Sequence, residues 1–85
     1  MTVKLRKSFI KDFNKLDSKY KKAWYRTLLK FRNDPRCKNL RRHKLTGKYK
    51  GLESIDIAPD LRALFHEDEH RFTFYYLKNH NQLYH

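Results

Sequence analysis

The sequence predicts one α+β domain over residues 1–85, an N-terminal strand and helical hairpin packed on a small antiparallel sheet. Three observations carry this reading. The first third holds one short period-2 segment followed by two apolar stripes at helical spacing. The last third holds three period-2 runs separated by short breaks. With 85 residues, the chain has surface enough to bury one layer of helix against one sheet, and little more.

The elements follow in order. Thr2–Lys7 alternates Val3 and Leu5 with Lys4 and Arg6, a short strand with one buried face. Ser8 is placed to cap a helix whose stripe is Phe9, Ile10, Phe13 and Leu16. Asp17 or Ser18 then caps a second helix, with Tyr20, Trp24, Leu28 and Phe31 on one face and Ala23, Thr27 and Leu29 beside them, until Asp34-Pro35 stops it. Residues 36–51 lack an apolar period and contain both glycines, which predicts a basic loop with one helical turn around Leu40. Beyond it, Ile55 and Ile57, then Leu61, Ala63 and Phe65, then Phe72, Phe74 and Tyr76 each recur every second residue, so a three-stranded antiparallel meander is expected, broken at Pro59-Asp60. Six Phe, six Tyr and one Trp supply much of the core.

Charge is the most informative feature of the composition. Residues 1–50 carry eighteen Lys/Arg against Asp12, Asp17 and Asp34, hence +15; residues 51–85 carry three against six acids, hence −3. Positive charge at this density repels itself unless a polyanion or an acidic protein offsets it, so RNA, DNA or an acidic partner is expected. Arg41, Arg42, Lys44, Lys48 and Lys50 in the loop are the candidates for phosphate contact. The single cysteine, Cys37, excludes an internal disulfide and a Cys-rich zinc module. Charged residues follow Met1 directly, and no apolar run approaches the length of a membrane span, so a cytoplasmic protein without membrane contact is expected.

His66-Glu67-Asp68-Glu69-His70 matches the H-E-x-x-H pattern of zinc peptidases. That pattern works only on a helix, and the segment lies between two period-2 aromatic runs, where a helix would leave Phe65, Phe72 and Phe74 without a common face. It is expected to be the polar tip of a β-hairpin, with no metal or other cofactor required. Metal-free chemistry has its own ingredients here. Arg62 lies in one meander strand, and His80 and Tyr84 follow the last. RNA cleavage without metal needs a base for the 2′-OH proton, a cation for the charge on phosphorus and an acid for the leaving 5′-oxygen. Histidine serves either proton role near neutral pH, arginine forks onto phosphate, and tyrosine donates a proton or stacks on a base. Each has a structural competitor: Arg62 paired with Asp56 or Glu53, His80 capping a turn, Tyr84 packed on the core edge, and His43 and Asp60 as ordinary loop and turn residues.

The element order, together with Phe9–Leu16 (F-x-K-D-F-x-K-L), His43–Gly51 (HKLTGKYKG), Ile57–Arg62 (IAPDLR) and Asn79–Tyr84 (NHNQLY), resembles the RelE/ParE superfamily of bacterial toxins, in particular the YafQ-like mRNA interferases. The resemblance spans nearly the whole chain. It implies a RelE-like fold and a ribonuclease that cuts translated mRNA in the ribosomal A site, leaves a 2′,3′-cyclic phosphate and is held off by a cognate antitoxin. Antitoxins of this class usually bring a DNA-binding domain, so operator DNA is expected to be bound through the antitoxin. By the same resemblance, His43 matches the histidine before the "LTG" word, Asp60 the acid of the "PD" word, His80 the histidine of the terminal word and Tyr84 its closing aromatic. Arg62 matches a catalytic or phosphate-binding arginine of RelE-like toxins. The chain departs from the YafQ-like pattern at Asp56, usually His, and Leu61, usually Trp, so Asp56 joins the candidate catalytic residues in an altered role. Two alternatives stand beside this reading: a ParE-like inhibitor of DNA gyrase, and a non-catalytic RNA-binding module.

Overall fold

A computed structural model describes residues 1–84, the side chain of Tyr84 lying outside that description. Strand β1 (Thr2–Leu5) leads into helices α1 (Lys7–Asn14) and α2 (Ser18–Asn33). After a 3-10 turn at Lys38–Leu40 come β2 (His43–Lys44), a second 3-10 turn at Gly47–Tyr49, strands β3 (Glu53–Ala58), β4 (Leu61–Asp68) and β5 (Arg71–Lys78), and helix α3 (His80–Tyr84). The five strands form one sheet in the order β1-β5-β4-β3-β2. The meander β3–β4–β5 is antiparallel as expected, and β1 joins β5 in parallel, which makes the sheet mixed.

The helical hairpin covers one face of the sheet, and the aromatic residues fill the interface. Phe9, Trp24, Phe31, Phe65, Phe72 and Phe74 are buried there. Phe31 meets Phe65, Phe72 and Phe74 edge-on with ring centroids 4.8–5.5 Å apart, the offset geometry that aromatic quadrupoles favour. Ile10 and Leu29, expected beside these stripes, are 45% and 71% exposed. The narrow helices bury only part of the face that their apolar residues mark out.

The first strand is shorter than expected. The chain turns into α1 at Lys7, and Arg6 at the cap position makes no side-chain cap bond. Ser8 therefore does not cap the helix, and its hydroxyl donates to the Tyr75 carbonyl. Four residues on, Asp12 accepts the Leu77 N–H at 3.0 Å and pairs with Lys78 at 3.4 Å. Beyond Phe74 strand β5 has outrun β1, which pairs only with Arg71–Phe74, so its backbone edge would lie open. Ser8 and Asp12, neighbours on one face of α1, supply the partners that a longer β1 would have given.

Two bulges set the faces of the sheet. Leu64 pairs with Tyr76 and Phe65 with Phe74, so Tyr75 is an extra residue in β5. The alternation shifts there: Phe72, Phe74 and Leu77 are buried in the core, and Tyr76 turns to the opposite face. The expectation that Tyr76 continues the Phe72–Phe74 face is thereby corrected. A second shift lies between Asp56 and Ala58. At the β4–β5 tip, Glu69 and His70 have φ of 49° and 64°, as a two-residue hairpin loop requires. His66 sits in β4 and His70 in the turn, so the peptidase-like pattern is not helical.

The basic loop is more ordered than its composition indicates. Strand β2 pairs His43 with Ser54 and Lys44 with Glu53, a ladder too short to leave a sequence period. The anchor is Arg42, 9% exposed, whose guanidinium forks onto Glu53 with two bonds of 2.9 Å and reaches Glu67 at 2.7 Å. It also lies over the Phe65 ring, 5.0 Å from the centroid. Expected to contact phosphate, Arg42 instead ties the loop to the sheet.

The hydrogen bonds from Arg42 hold the Glu53 carboxyl below its ordinary 4.5. A depressed carboxyl stabilises the fold above its unfolded pKa, and that contribution drains away as pH falls through the folded value. Urea midpoints should therefore fall steeply below pH 4.5. Glu53→Gln should cost about 2 kcal/mol at neutral pH and flatten the acid limb.

Candidate functional site

The face opposite the helices carries the candidate residues at its β2–β3–β4 end. Asp56 in β3 and Arg62 in β4 are cross-strand partners. Arg62 Nε is buried 3.3 Å from Asp56 Oδ1 but lacks the angle of a hydrogen bond. Arg41 approaches the other oxygen of the same carboxylate, Nε to Oδ2 at 3.6 Å. The two arginines thus share one carboxylate. Arg41 is 78% exposed and Arg62 21%, so one is free to move and the other is held by the sheet. Positive φ at Arg41, 52°, turns the chain between the 3-10 turn and β2.

His43 stands next to this pair. Its Nδ1 lies 3.0 Å from the Arg41 carbonyl and its Nε2 3.2 Å from Ser54 Oγ. If Nδ1–H donates to the carbonyl, Nε2 is left to accept from the serine hydroxyl. Ser54 is fully buried, on the face away from the main core, opposite the equally buried Leu64. Arg36, Cys37, Lys38, Arg41, Arg42, His43, Lys44 and Glu53 line an open cleft of about 410 Å³.

His80 opens α3 directly after β5, two residues beyond Lys78, the cross-strand partner of Arg62. Helix α3 starts with a reciprocal cap: Gln82 N donates to Asn79 Oδ1 at 2.9 Å and Asn79 N to Gln82 Oε1 at 2.8 Å. Asp60, in the β3–β4 turn, accepts the His80 N–H at 3.1 Å. Asp60 therefore fixes the position of the His80 backbone.

Among the sequence candidates, Arg41, His43, Asp56 and Arg62 come together, and Asp60 and His80 are joined beside them. Lys48 and Lys50 lie around the second 3-10 turn, against Tyr75, Tyr76 and His66. The Tyr84 side chain is outside the described residues. Ser54, which holds the His43 ring, carries no sequence signal. No group of three His, Cys, Asp or Glu side chains able to hold a metal ion occurs among the described residues.

A helical hairpin over a five-stranded mixed sheet, with a basic loop crossing the far end, is the RelE-like architecture. No protein-family model and no curated protein matches the sequence. Solved structures do. A copper-bound mutant toxin from Helicobacter pylori superposes with TM-score 0.68 at 26% identity, over 99% of both chains. YafQ from E. coli strain BL21(DE3) gives TM-score 0.70 at 19% identity, over 98% of this chain and 97% of that one. The E. coli DinJ-YafQ toxin-antitoxin complex contributes a chain with TM-score 0.68 at 20% identity, over 98% and 96%. These likenesses place the chain in the RelE/ParE superfamily of toxins, close to YafQ.

Removing the Asp60 carboxylate should loosen α3 alone. In Asp60→Ala, amide exchange at His80 to Leu83 should quicken about fivefold, as loss of a helix cap of about 1 kcal/mol requires. The amides of β3 and β4 should keep their rates.

Proposed function

We propose that this chain is the toxin of a type II toxin–antitoxin module and acts as a metal-independent, ribosome-dependent endoribonuclease on translated mRNA. The observation that carries the reading is the convergence of Arg41, Arg62, Asp56 and His43 at one end of the sheet, with His80 held next to them by Asp60. The likeness to YafQ, alone and in its complex with DinJ, supports it.

In this mechanism the 2′-oxygen of one nucleotide attacks the adjacent phosphorus. As the new O–P bond forms, a histidine takes the 2′-OH proton; as the bond to the 5′-oxygen breaks, a second acid protonates the leaving group. The products are a 2′,3′-cyclic phosphate and a free 5′-hydroxyl. His80 is the principal proton carrier and His43 the second, with Tyr84 in reserve by its place in the terminal word. Arg62, supported by Arg41, takes the non-bridging oxygens as negative charge grows on them. Asp56 holds both guanidinium groups in place until phosphate competes for them.

Such a site has few strong acid–base groups, and its rate depends on positioning. A ribosome that holds mRNA with the 2′-oxygen in line supplies that positioning. The +15 segment then grips ribosomal RNA through exposed side chains such as Lys44, and the same charge attracts an acidic antitoxin segment that folds on binding. Operator DNA is contacted through the antitoxin. No described helix is long and apolar enough to cross a membrane, and the ribosome puts the site of action in the cytoplasm.

Primer extension on mRNA in a translating extract containing EDTA-washed toxin tests this reading. Wild type should cut only translated message, His80→Ala should lose at least about a hundredfold in rate, and Arg62→Lys should lose less. Growth inhibition without any cut would contradict a nuclease and direct attention to gyrase.

A further inference from the structure

The bulge in β5 has placed two consecutive tyrosines, Tyr75 and Tyr76, off the core of a strand that otherwise alternates. Their rings stand 6.3 Å apart at 41°, and Tyr49 from the basic loop adds a third ring 5.4 Å from Tyr76. All three are half-buried, which fixes them without covering them. The Tyr75–Tyr76 pair forms a ridge between two open concavities. One, of about 990 Å³, runs toward β1 and is lined by Lys4, Arg6 and Lys7. The other, of about 670 Å³, lies toward the loop with Lys48, Lys50 and His66. No carboxylate lines either, whereas Glu53 lines the cleft beside His43. Cations also lie over these rings: Arg6 is 5.2 Å from the Tyr75 centroid and Lys48 5.3 Å from that of Tyr49.

We infer that this ridge is a stacking platform for single-stranded RNA, engaging bases on Tyr75 and Tyr76 while the flanking lysines and arginine track the phosphates. The inference rests on the ribonuclease reading and extends its substrate contacts beyond the cleavage residues. Rings interleaved with cations match the alternation of base and phosphate along a strand, and base stacking on an aromatic ring is indifferent to sequence. An acidic peptide would satisfy the cations but would leave the ring faces unused. The bulge is the device that makes the platform, because regular alternation would have buried one of the two tyrosines.

Binding of a fluorescein-labelled 2′-O-methyl RNA decamer, which cannot be cleaved by 2′-OH attack, tests this by anisotropy at about 50 mM salt. Tyr75→Leu and the Tyr75→Leu/Tyr76→Leu double variant should weaken binding by about tenfold or more, and the corresponding Phe variants should stay within about twofold of wild type. An abasic strand of the same length should bind wild type weakly and be insensitive to the Leu changes. Wild-type affinity in a Tyr75→Leu protein with an unaltered melting profile would overturn the inference, as would equal affinity for the abasic strand or for a poly-glutamate decamer. Loss of stacking while ribosomal cleavage persists would overturn this inference alone. Stacking without cleavage would overturn only the nuclease.

Discussion

Arg42 is the interaction on which the functional end of the molecule depends. A sheet of three long strands would stand without it, but residues 36–51 carry seven Lys/Arg and no apolar period, and nothing in their composition brings them to the sheet. One guanidinium does so by forking onto Glu53 in β3, reaching Glu67 in β4 and lying over Phe65. Once Arg42 is seated inward, its neighbours are dictated: Arg41 turns through a left-handed residue toward Asp56, and His43 enters β2 with its ring against Ser54. A charge that reads as one more surface cation is thus what places the surface cations around it.

The carboxylates are distributed by the same logic. Nine acids face twenty-one Lys/Arg. Glu53 and Glu67 hold Arg42, Asp12 closes the open edge of β5, Asp60 fixes His80, and Asp56 bridges Arg41 and Arg62. Among these five, the Asp56 bridge is the one that leaves a paired arginine within reach of a ligand, since Arg41 is 78% exposed. Phosphate entering there meets two oriented guanidinium groups and competes with one carboxylate. The other four are committed to structure, and the surplus of positive charge is left for a polyanion.

The strands and helices were legible because their apolar residues repeat at 2 and near 3.6, and Asp34-Pro35 and Pro59-Asp60 mark real boundaries. What was hidden depends on single contacts. The β5 bulge reverses the face of Tyr76 without altering the apparent period of Phe72, Phe74 and Tyr76, although the adjacent Tyr75-Tyr76 pair did signal one outward ring. Ser8 looks like a helix cap and is an edge partner, because β1 is shorter than its pattern. Arg42 is indistinguishable from Arg41 in composition, and only three-dimensional proximity to Glu53 and Glu67 separates them. His43, Asp56, Arg62 and His80 were found by chemistry and resemblance; the role of Asp60 as a backbone clasp on His80 needed the fold.

The central claim is the division of labour between arginines: Arg41 and Arg62 serve phosphate with His80, and Arg42 serves the fold. NMR of isotopically labelled protein titrated with a 2′-deoxy oligonucleotide reads all four side chains at once. Arg41 and Arg62 Nε–H and the His80 ring should shift together with a common saturation point, while the Arg42 Nε–H signal holds its place. Unmoved Arg62 and His80 resonances at saturation, or a shift confined to Arg42, would contradict the account.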